Sequence, residues 1–393
     1  MRGGAQVPPQ RDSLRVMFDP QIFCHQRFGG VSRYFCSMAL ELQQLPGIRP
    51  VIVAPFHCNE YLAHLPPALV RGRRVPRLEG RTALAYGLSV IPGLIAARRE
   101  RPDVLHNTYY FPIRPPRGSR GVVTIYDMIH EKFPEYFGGR PLIARLKAAS
   151  VAAADHVICI SESTRRDVLA TYAIPPERVS VTHLGFDPLR SLLGGESAAL
   201  FRARVLGTDA PYLLFVGSRG AHKNFPALLG AYAGSAWLRS NFFLLCFGGG
   251  DFSPGERTAI AGAGVGGRVR HLGGSDAVLA ECYAHAALFV CPSLYEGFGI
   301  PVLEAMSLDC PVACSNTSSL PEVAGDAATL FDPSDQESIR AALEAVLESP
   351  ATAATLRARG RTRTQQFSWR RCAEATAGIY RAVCGQPSAA RGG

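Results

Sequence analysis

Long apolar runs are missing from this chain of 393 residues. None approaches the roughly 18 to 20 consecutive apolar residues that a membrane-spanning helix requires, so no span is expected. The opening stretch, MRGGAQVPPQRDS, lacks the apolar centre of a secretory signal; it reads as a loose tail over residues 1–13, and the expected location is the cytoplasm. Paired cysteines are also missing. Eleven cysteines, an odd number, form no C-x-x-C pair and sit inside apolar runs such as VICIS and FVCPS. That excludes zinc-ligand spacing and a disulfide framework, and predicts reduced core residues. Neither G-x-x-x-x-G-K-[ST] nor H-E-x-x-H occurs, which excludes a P-loop and a zinc-protease helix. The G-x-G-x-x-G match, GAGVGG at residues 262–267, follows a helical stretch and precedes a strand, the reverse of a dinucleotide fingerprint. D-x-D, one device for holding a divalent metal on a diphosphate, is absent too. No metal or other cofactor is expected.

What is present describes a globular protein: 47% hydrophobic and 19% charged residues, and enough chain for two domains. The charge is lopsided. Residues 1–185 carry 24 Lys and Arg against 14 Asp and Glu, whereas residues 186–393 carry 18 of each. Runs such as RGRRVPR and RLKAAS supply the excess. A one-sided basic field suits an anionic surface, nucleic acid or acidic lipid, with plain solubility as the alternative.

Short apolar runs alternate with amphipathic stretches. In the first half they are LRVMFD, PVIVAP, DVLHN, GVVTIYD, HVICIS and VSVTHLG; in the second, YLLFVGS, FFLLCFGG, VRHLGG, ALFVCPS, PVACSN and ATLFDP. Nearly unbroken hydrophobicity without alternation marks parallel strands covered on both faces. VSRYFCSMALELQQL and DQESIRAALEAVLES are helical between them. The expected fold class is α/β, two doubly wound Rossmann-like units facing across a cleft. The expected boundaries are residues 14–190, residues 205–367 and a final helix at 368–384, with the rhythm broken between 186 and 210.

Ligands of open α/β sheets sit beyond the carboxyl ends of the strands, and the chemically interesting residues follow strands here. After ALFVCPS comes YEGFGIPVLEA, which sets Glu296 and Glu304 on either side of a Gly-Phe-Gly bend, with Pro301 suited to a first helical turn. A glycine-rich loop entering a helix offers free amides to a phosphate; Gly297, Phe298, Gly299 and Ile300 form it. The two carboxylates can accept bonds from sugar hydroxyls, though Glu304 alone could simply oppose the helix dipole. FVGSRGAHKNFPALL repeats the device: Gly217 at the bend, Arg219 and Lys223 beside it to meet the charge of a departing diphosphate, and Asn224 as a helix cap. Gly29 and Gly30 permit close backbone approach after the first strand. Asp127 and His130 follow GVVTIYD and are candidates for placing an acceptor or a sugar hydroxyl. SESTRRD (Ser161, Thr164, Asp167) reads as helix capping.

Taken together, YEGFGIPVLEAM resembles the E-x7-E signature of retaining GT-B glycosyltransferases of family four. FVGSRGAHKNFPALL resembles that family's donor-phosphate motif, and QRFGGVSRYF its N-terminal glycine loop. ADHVICISESTRRDVLATYAIPPERVSVTHLGFDP and SLPEVAGDAATLFDP are similar to family segments as well, so the likeness spans residues 14–384. It implies that Glu304 binds the ribose of a nucleotide sugar and that Glu296 contacts the donor sugar beside the amides of Phe298 and Gly299. Arg219 and Lys223 would hold the diphosphate, Gly30 would approach it from the first domain, and the last helix would cross back to that domain. Two departures stand out: Tyr126 occupies the place of a family histidine, and Arg219 sits one position late.

YDMIHE and SRxxxKN look most like bacterial mannosyltransferases of O-antigen and capsule assembly. The implied function is transfer of a hexosyl group, mannose from GDP-mannose, to a lipid-linked or growing polysaccharide with retained configuration. The alternatives are a UDP-sugar-dependent transferase of the same fold, a nucleotide-sugar epimerase and a non-catalytic nucleotide-sugar-binding scaffold. The expected partners are a nucleotide-sugar donor, a glycan or lipid-linked acceptor and, for the basic first half, the anionic inner face of a membrane. Nucleic acid is not expected.

Overall fold

The computed structural model describes residues 13–76, 79, 82–139 and 142–385. Of the expected tail at 1–13, all but Ser13 lies outside them.

Among the described residues seven strands form the first sheet: β1 (Leu14–Phe18), β2 (Ile48–His57), β3 (Val70–Arg74), β4 (Val104–Asn107), β5 (Arg120–Ile125), β6 (His156–Cys159) and β7 (Val179–Val181). Their spatial order is β3-β2-β1-β4-β5-β6-β7. Six form the second: β8 (Tyr212–Val216), β9 (Phe243–Phe247), β10 (Val269–Leu272), β11 (Leu288–Cys291), β12 (Val312–Ser315) and β13 (Thr329–Phe331), in the order β10-β9-β8-β11-β12-β13. Every pairing is parallel, with β1 joined to β2 from Leu14 opposite Ile48 to Phe18 opposite Ile52. The expected fold class is the one observed. The middle strands are buried along their length because helices cover both faces, which is why they read as continuous apolar runs.

The exception is β3. Its sequence, VRGRR, reads only as charge, and four of its five residues are exposed at the sheet edge. Edge strands that carry cations in this way resist pairing with other chains.

Each sheet reverses its winding once, between β1 and β4 and between β8 and β11. The crevice of a doubly wound sheet opens at such a reversal. The helix Gly30–Gln43 buries Tyr34, Phe35, Met38, Ala39 and Leu42 at three- and four-residue spacing. The last helix, Trp369–Gly385, lies on it: Tyr34 meets Trp369 at 6.2 Å between ring centroids, and the Tyr380 hydroxyl bonds His106 Nδ1 at 2.6 Å. Asp187 ties three segments together, accepting from Arg33 at 2.8 Å and from the Trp369 indole at 2.9 Å. All eleven cysteines are unpaired and ten are buried. Among the described residues no helix is long and apolar enough to cross a membrane.

Candidate active site

The loop after β11 carries Glu296, and its neighbours fix it from four directions. The Ser293 hydroxyl donates to the Glu296 carboxylate at 2.7 Å, and the Lys223 ammonium donates to the same oxygen at 2.6 Å. The Glu296 amide donates to Ser318 Oγ at 3.0 Å. Ser319 Oγ bonds the carbonyls of Glu296 at 2.9 Å and Phe298 at 2.8 Å. Lys223 arrives from the other side, at the end of a short turn (Ala221–Lys223) after β8, and the Leu294 amide donates to the His222 carbonyl at 2.8 Å to lock the two loops together. Burial works against the Lys223 charge, but the adjacent carboxylate outweighs it and holds the ammonium above its ordinary range.

The bend itself needs its glycines. Gly299 has φ of +107° and starts the helix Ile300–Ser307, with Pro301 second in it. Among the described residues no acceptor takes the amides of Phe298 and Gly299, so they are free to meet an anion at the helix start. The Phe298 side chain is buried against Phe367 and His183; only its backbone faces the site. Gly217 has φ of +116°, with nothing within 4 Å of where a Cβ would lie.

Glu304 lies on that helix one turn in. Burial pushes its carboxyl up to about 7, against the pull of the Tyr283 hydroxyl, which donates to it at 3.2 Å, and of the Arg33 charge. Arg33 belongs to the helix Gly30–Gln43 of the first sheet, so the two lobes meet electrostatically here. Gly30 opens that helix with nothing within 4 Å of a Cβ position, whereas a Cβ on Gly29 would strike the Gln26 side chain.

The first lobe contributes Asp127, just past β5. Its carboxylate accepts from the Ile129 amide at 3.1 Å, and Lys147 donates to its backbone carbonyl at 2.8 Å and to Glu131 at 2.8 Å. Lys147 is fully buried. The sequence reading put RLKAAS into a basic surface; this lysine is instead an internal brace, its charge matched by Glu131 and seated over the Tyr110 ring at 5.2 Å. His130 packs on Phe137 at 4.3 Å, its Nδ1 buried without a partner, and burial and Lys147 lower its pKa. Tyr126 is buried beneath Asp127.

Three further residues are placed differently from expectation. Arg219 is engaged within its own lobe rather than left free: Nε donates to Glu256 at 2.7 Å, and the guanidinium also donates to the carbonyls of Gly248 at 2.9 Å, Gly249 at 3.4 Å, Gly250 at 2.6 Å and Asp251 at 3.1 Å. Its side chain is 3% exposed and lies over Phe252. The reason is the run Gly248-Gly249-Gly250, where three consecutive φ values of 79°, 70° and 72° turn the carbonyls onto the guanidinium. Asn224 occupies the N-cap position of its helix but makes no capping bond with its side chain; its amide donates to the Pro333 carbonyl at 2.7 Å. Asp167 is no cap either, since it lies inside the helix Glu162–Thr171, paired with Lys132 at 2.7 Å and accepting from the Tyr295 hydroxyl at 2.8 Å. Ser161 does cap that helix, through the Thr164 amide.

The lobes touch at the base of the cleft. The Gly297 carbonyl accepts from Ser161 Oγ at 2.8 Å, and the Tyr295 hydroxyl accepts from the Met128 amide at 3.2 Å. Glu322 of the second lobe accepts from the Glu162 amide at 2.8 Å and pairs with His183 at 2.6 Å. Sequence reasoning missed Arg33, Tyr283, Lys147, Glu322, Ser318 and Ser319, because each acts from a distant element; Ser293, three residues before Glu296, was local but gave no signal of its own.

Two family models match the chain, Glycosyltransferase Family 4 over residues 28–190 and Glycosyl transferases group 1 over residues 197–363. O-antigen chain mannosyltransferase B of Escherichia coli is 31% identical over 294 residues, 72% of this chain and 76% of that protein. The chain belongs to this glycosyltransferase family. Alpha-maltose-1-phosphate synthase of Mycolicibacterium smegmatis is 28% identical across 94% of this chain and all of its own length. Among solved structures, Anabaena HepE in complex with UDP-glucose matches with a TM-score of 0.69 at 14% identity, covering 94% of this chain and 100% of HepE. That likeness is one of fold. The GT-B architecture of the family accounts for the two facing sheets, and its two models meet in the segment that joins them, on either side of residues 191–196.

Proposed function

We propose that this glycosyltransferase moves mannose from GDP-mannose to a hydroxyl of a lipid-linked or growing polysaccharide, with retention at the anomeric carbon and without a metal ion. The observation that carries the reading is the Lys223–Glu296 contact at 2.6 Å, which joins two post-strand loops beside the open amides of Phe298 and Gly299. The mannosyltransferase relative favours the sugar.

In this reading Glu304 accepts bonds from the ribose hydroxyls and Glu296 from the donor sugar. The C1–O bond to the diphosphate breaks with its electron pair going to the phosphate oxygen. Lys223, the free amides and the start of the helix Ile300–Ser307 stabilise that developing charge. The acceptor oxygen attacks C1 from the same face, and its proton passes to the departing phosphate. Asp127, held by Lys147, orients the acceptor. Arg219 supports the Gly248–Gly250 turn behind the phosphate site. Closure of the lobes excludes water and suppresses donor hydrolysis. The basic first half meets the anionic inner face of a membrane, where a lipid-linked acceptor is presented.

A UDP-sugar donor is the second reading, favoured by the fold it shares with HepE, which was solved with UDP-glucose. Thermal protection by a panel of nucleotide sugars separates the two. GDP-mannose should raise the melting temperature more than UDP-glucose or UDP at equal concentration; the opposite order overturns the donor assignment. Conversion of donor to an isomeric nucleotide sugar without acceptor would mark an epimerase, and protection with no turnover on any acceptor would mark a scaffold.

A further inference from the structure

The helix Thr82–Glu100 packs one face against the first sheet, where Val90 and Ala97 join Met17, Val53, Leu105 and Ile113 in a small core of their own. Its outer face should then be polar. It is not: from residue 82 to residue 97, TALAYGLSVIPGLIAA, the helix contains no charged side chain. Leu84 is 49% exposed, Leu88 44%, Ile91 61% and Ile95 43%. At 3.6 residues per turn these four fall within an arc of about 60°, opposite the buried face. Apolar side chains so aligned on a solvent-facing helix mark a surface that something covers.

The charges around the stripe indicate what covers it. Arg98 and Arg99 lie in the last turn, to either side of the stripe, and both are exposed. Arg101 is exposed just beyond, and Arg71 and Arg73 are exposed on the neighbouring edge strand β3. At the other end, on the packed side of the helix, Tyr86 meets His25 and Phe111, the latter 44% exposed on the loop after β4, which sets that end of the helix beside the carboxyl ends of the strands. A second copy of the chain pairing through the same stripe would bring it no acidic side chain, since the helix carries none before Glu100, and Glu100 is paired with Arg71. Anionic headgroups over an acyl boundary supply both complements at once.

We infer that Leu84, Leu88, Ile91 and Ile95 insert into the acyl boundary of an anionic bilayer while Arg98 and Arg99 bind its headgroups. This rests on the proposed function only in that a lipid-linked acceptor would be presented at the same surface, at the rim of the cleft. It gives the membrane contact of the basic half a specific element. The apolar stripe sets whether the protein binds, and the arginines set which lipid it prefers.

The test is co-sedimentation of the full chain with vesicles of phosphatidylcholine and phosphatidylglycerol in equal parts, and with phosphatidylcholine alone, at low and high salt. The wild type should bind the mixed vesicles in preference. Leu88→Glu with Ile91→Glu should lose binding by at least about tenfold at every salt concentration. Arg98→Gln with Arg99→Gln should lose only the salt-sensitive preference for phosphatidylglycerol. No wild-type binding, or equal binding by the glutamate variant, overturns the inference. So does a wild-type dimer, seen by light scattering, that the glutamate variant dissolves, because the stripe would then cover a second copy. Donor protection against thermal unfolding, measured on the same preparations, should be unchanged in the glutamate variant, showing that fold and site are intact. If no nucleotide sugar protects any preparation, the proposed function fails while the vesicle result still stands.

Discussion

Gly297 of the second lobe lies so close to Tyr126 of the first that a Cβ on it would sit 1.9 Å from the Tyr126 carbonyl oxygen. The obstacle is backbone, which cannot swing aside, and the Gly297 carbonyl is itself held by Ser161. A glycine here sets how nearly the loop that carries Glu296 can approach Asp127, the residue after Tyr126.

Gly297→Ala should therefore displace the lobes by roughly an ångström and lower turnover about a hundredfold, the usual consequence of misplacing reacting groups by that distance. Donor protection against thermal unfolding should fall much less, since Lys223, Glu296 and Glu304 all belong to the second lobe. Steady-state kinetics beside a melting curve with GDP-mannose checks this. Unchanged turnover would show that the contact plays no part in catalysis.

Lys223 and Glu296 act as one unit if they serve the same transition state. Lys223→Ala should lower kcat by about 10² to 10³, the range for removing one electrostatic stabiliser of developing charge. Lys223→Arg should not restore it, because a planar fork does not fit where one ammonium meets a single carboxylate oxygen. The double variant with Glu296→Ala should be little worse than either single one. Fully additive losses would indicate two independent roles.

How much of this could be read from the chain follows from where each residue lies. Twelve of the thirteen strands were legible, because buried parallel strands are nearly pure hydrophobic runs. β3 was not, since an edge strand of exposed arginines gives no such signal. Lys223, Glu296, Glu304 and Asp127 stood out by position, each just after a strand or one turn into the next helix. Their supports did not. Arg33 lies near Glu304 across 271 residues of chain, and Lys147 was assigned to the surface although its side chain is fully buried. Burial of a charge is decided by partners, here Glu131 and Asp127, that no local pattern shows. The partners of Arg219 were hidden for the same reason, because the glycine turn that receives it lies some thirty residues later.

That placement of Arg219 gives a prediction opposite to the one its motif suggests. With its donors engaged by Glu256 and four carbonyls, Arg219→Ala leaves those groups unmet and should destabilise the protein by about 2 kcal/mol, discounted for the partial exposure of Glu256. Arg219→Lys should recover little, since one ammonium cannot reach all five acceptors. Chemical denaturation measures the first effect and donor KM the second. A variant of full stability with donor affinity reduced tenfold or more would place Arg219 on the phosphate after all.

Glu304 has a carboxyl raised by burial to about 7, so its charge is set near neutrality. If it accepts two ribose hydroxyl bonds as a carboxylate, donor affinity should be full above pH 7 and decline as the pH falls through it. Glu304→Gln should weaken donor binding and remove that pH dependence. Stability moves the other way. An acid whose pKa is higher folded than unfolded holds its proton longer in the native state, so ionisation opposes folding increasingly from the unfolded value of 4.5 up to about 7. Glu304→Gln should therefore stabilise the free protein above pH 7, on the order of 2 kcal/mol after allowance for partial exposure, and by much less near pH 4. Melting curves at the two pH values, with and without nucleotide, test both halves together. A glutamine variant that binds donor as tightly as the wild type at pH 8 would remove Glu304 from the donor site.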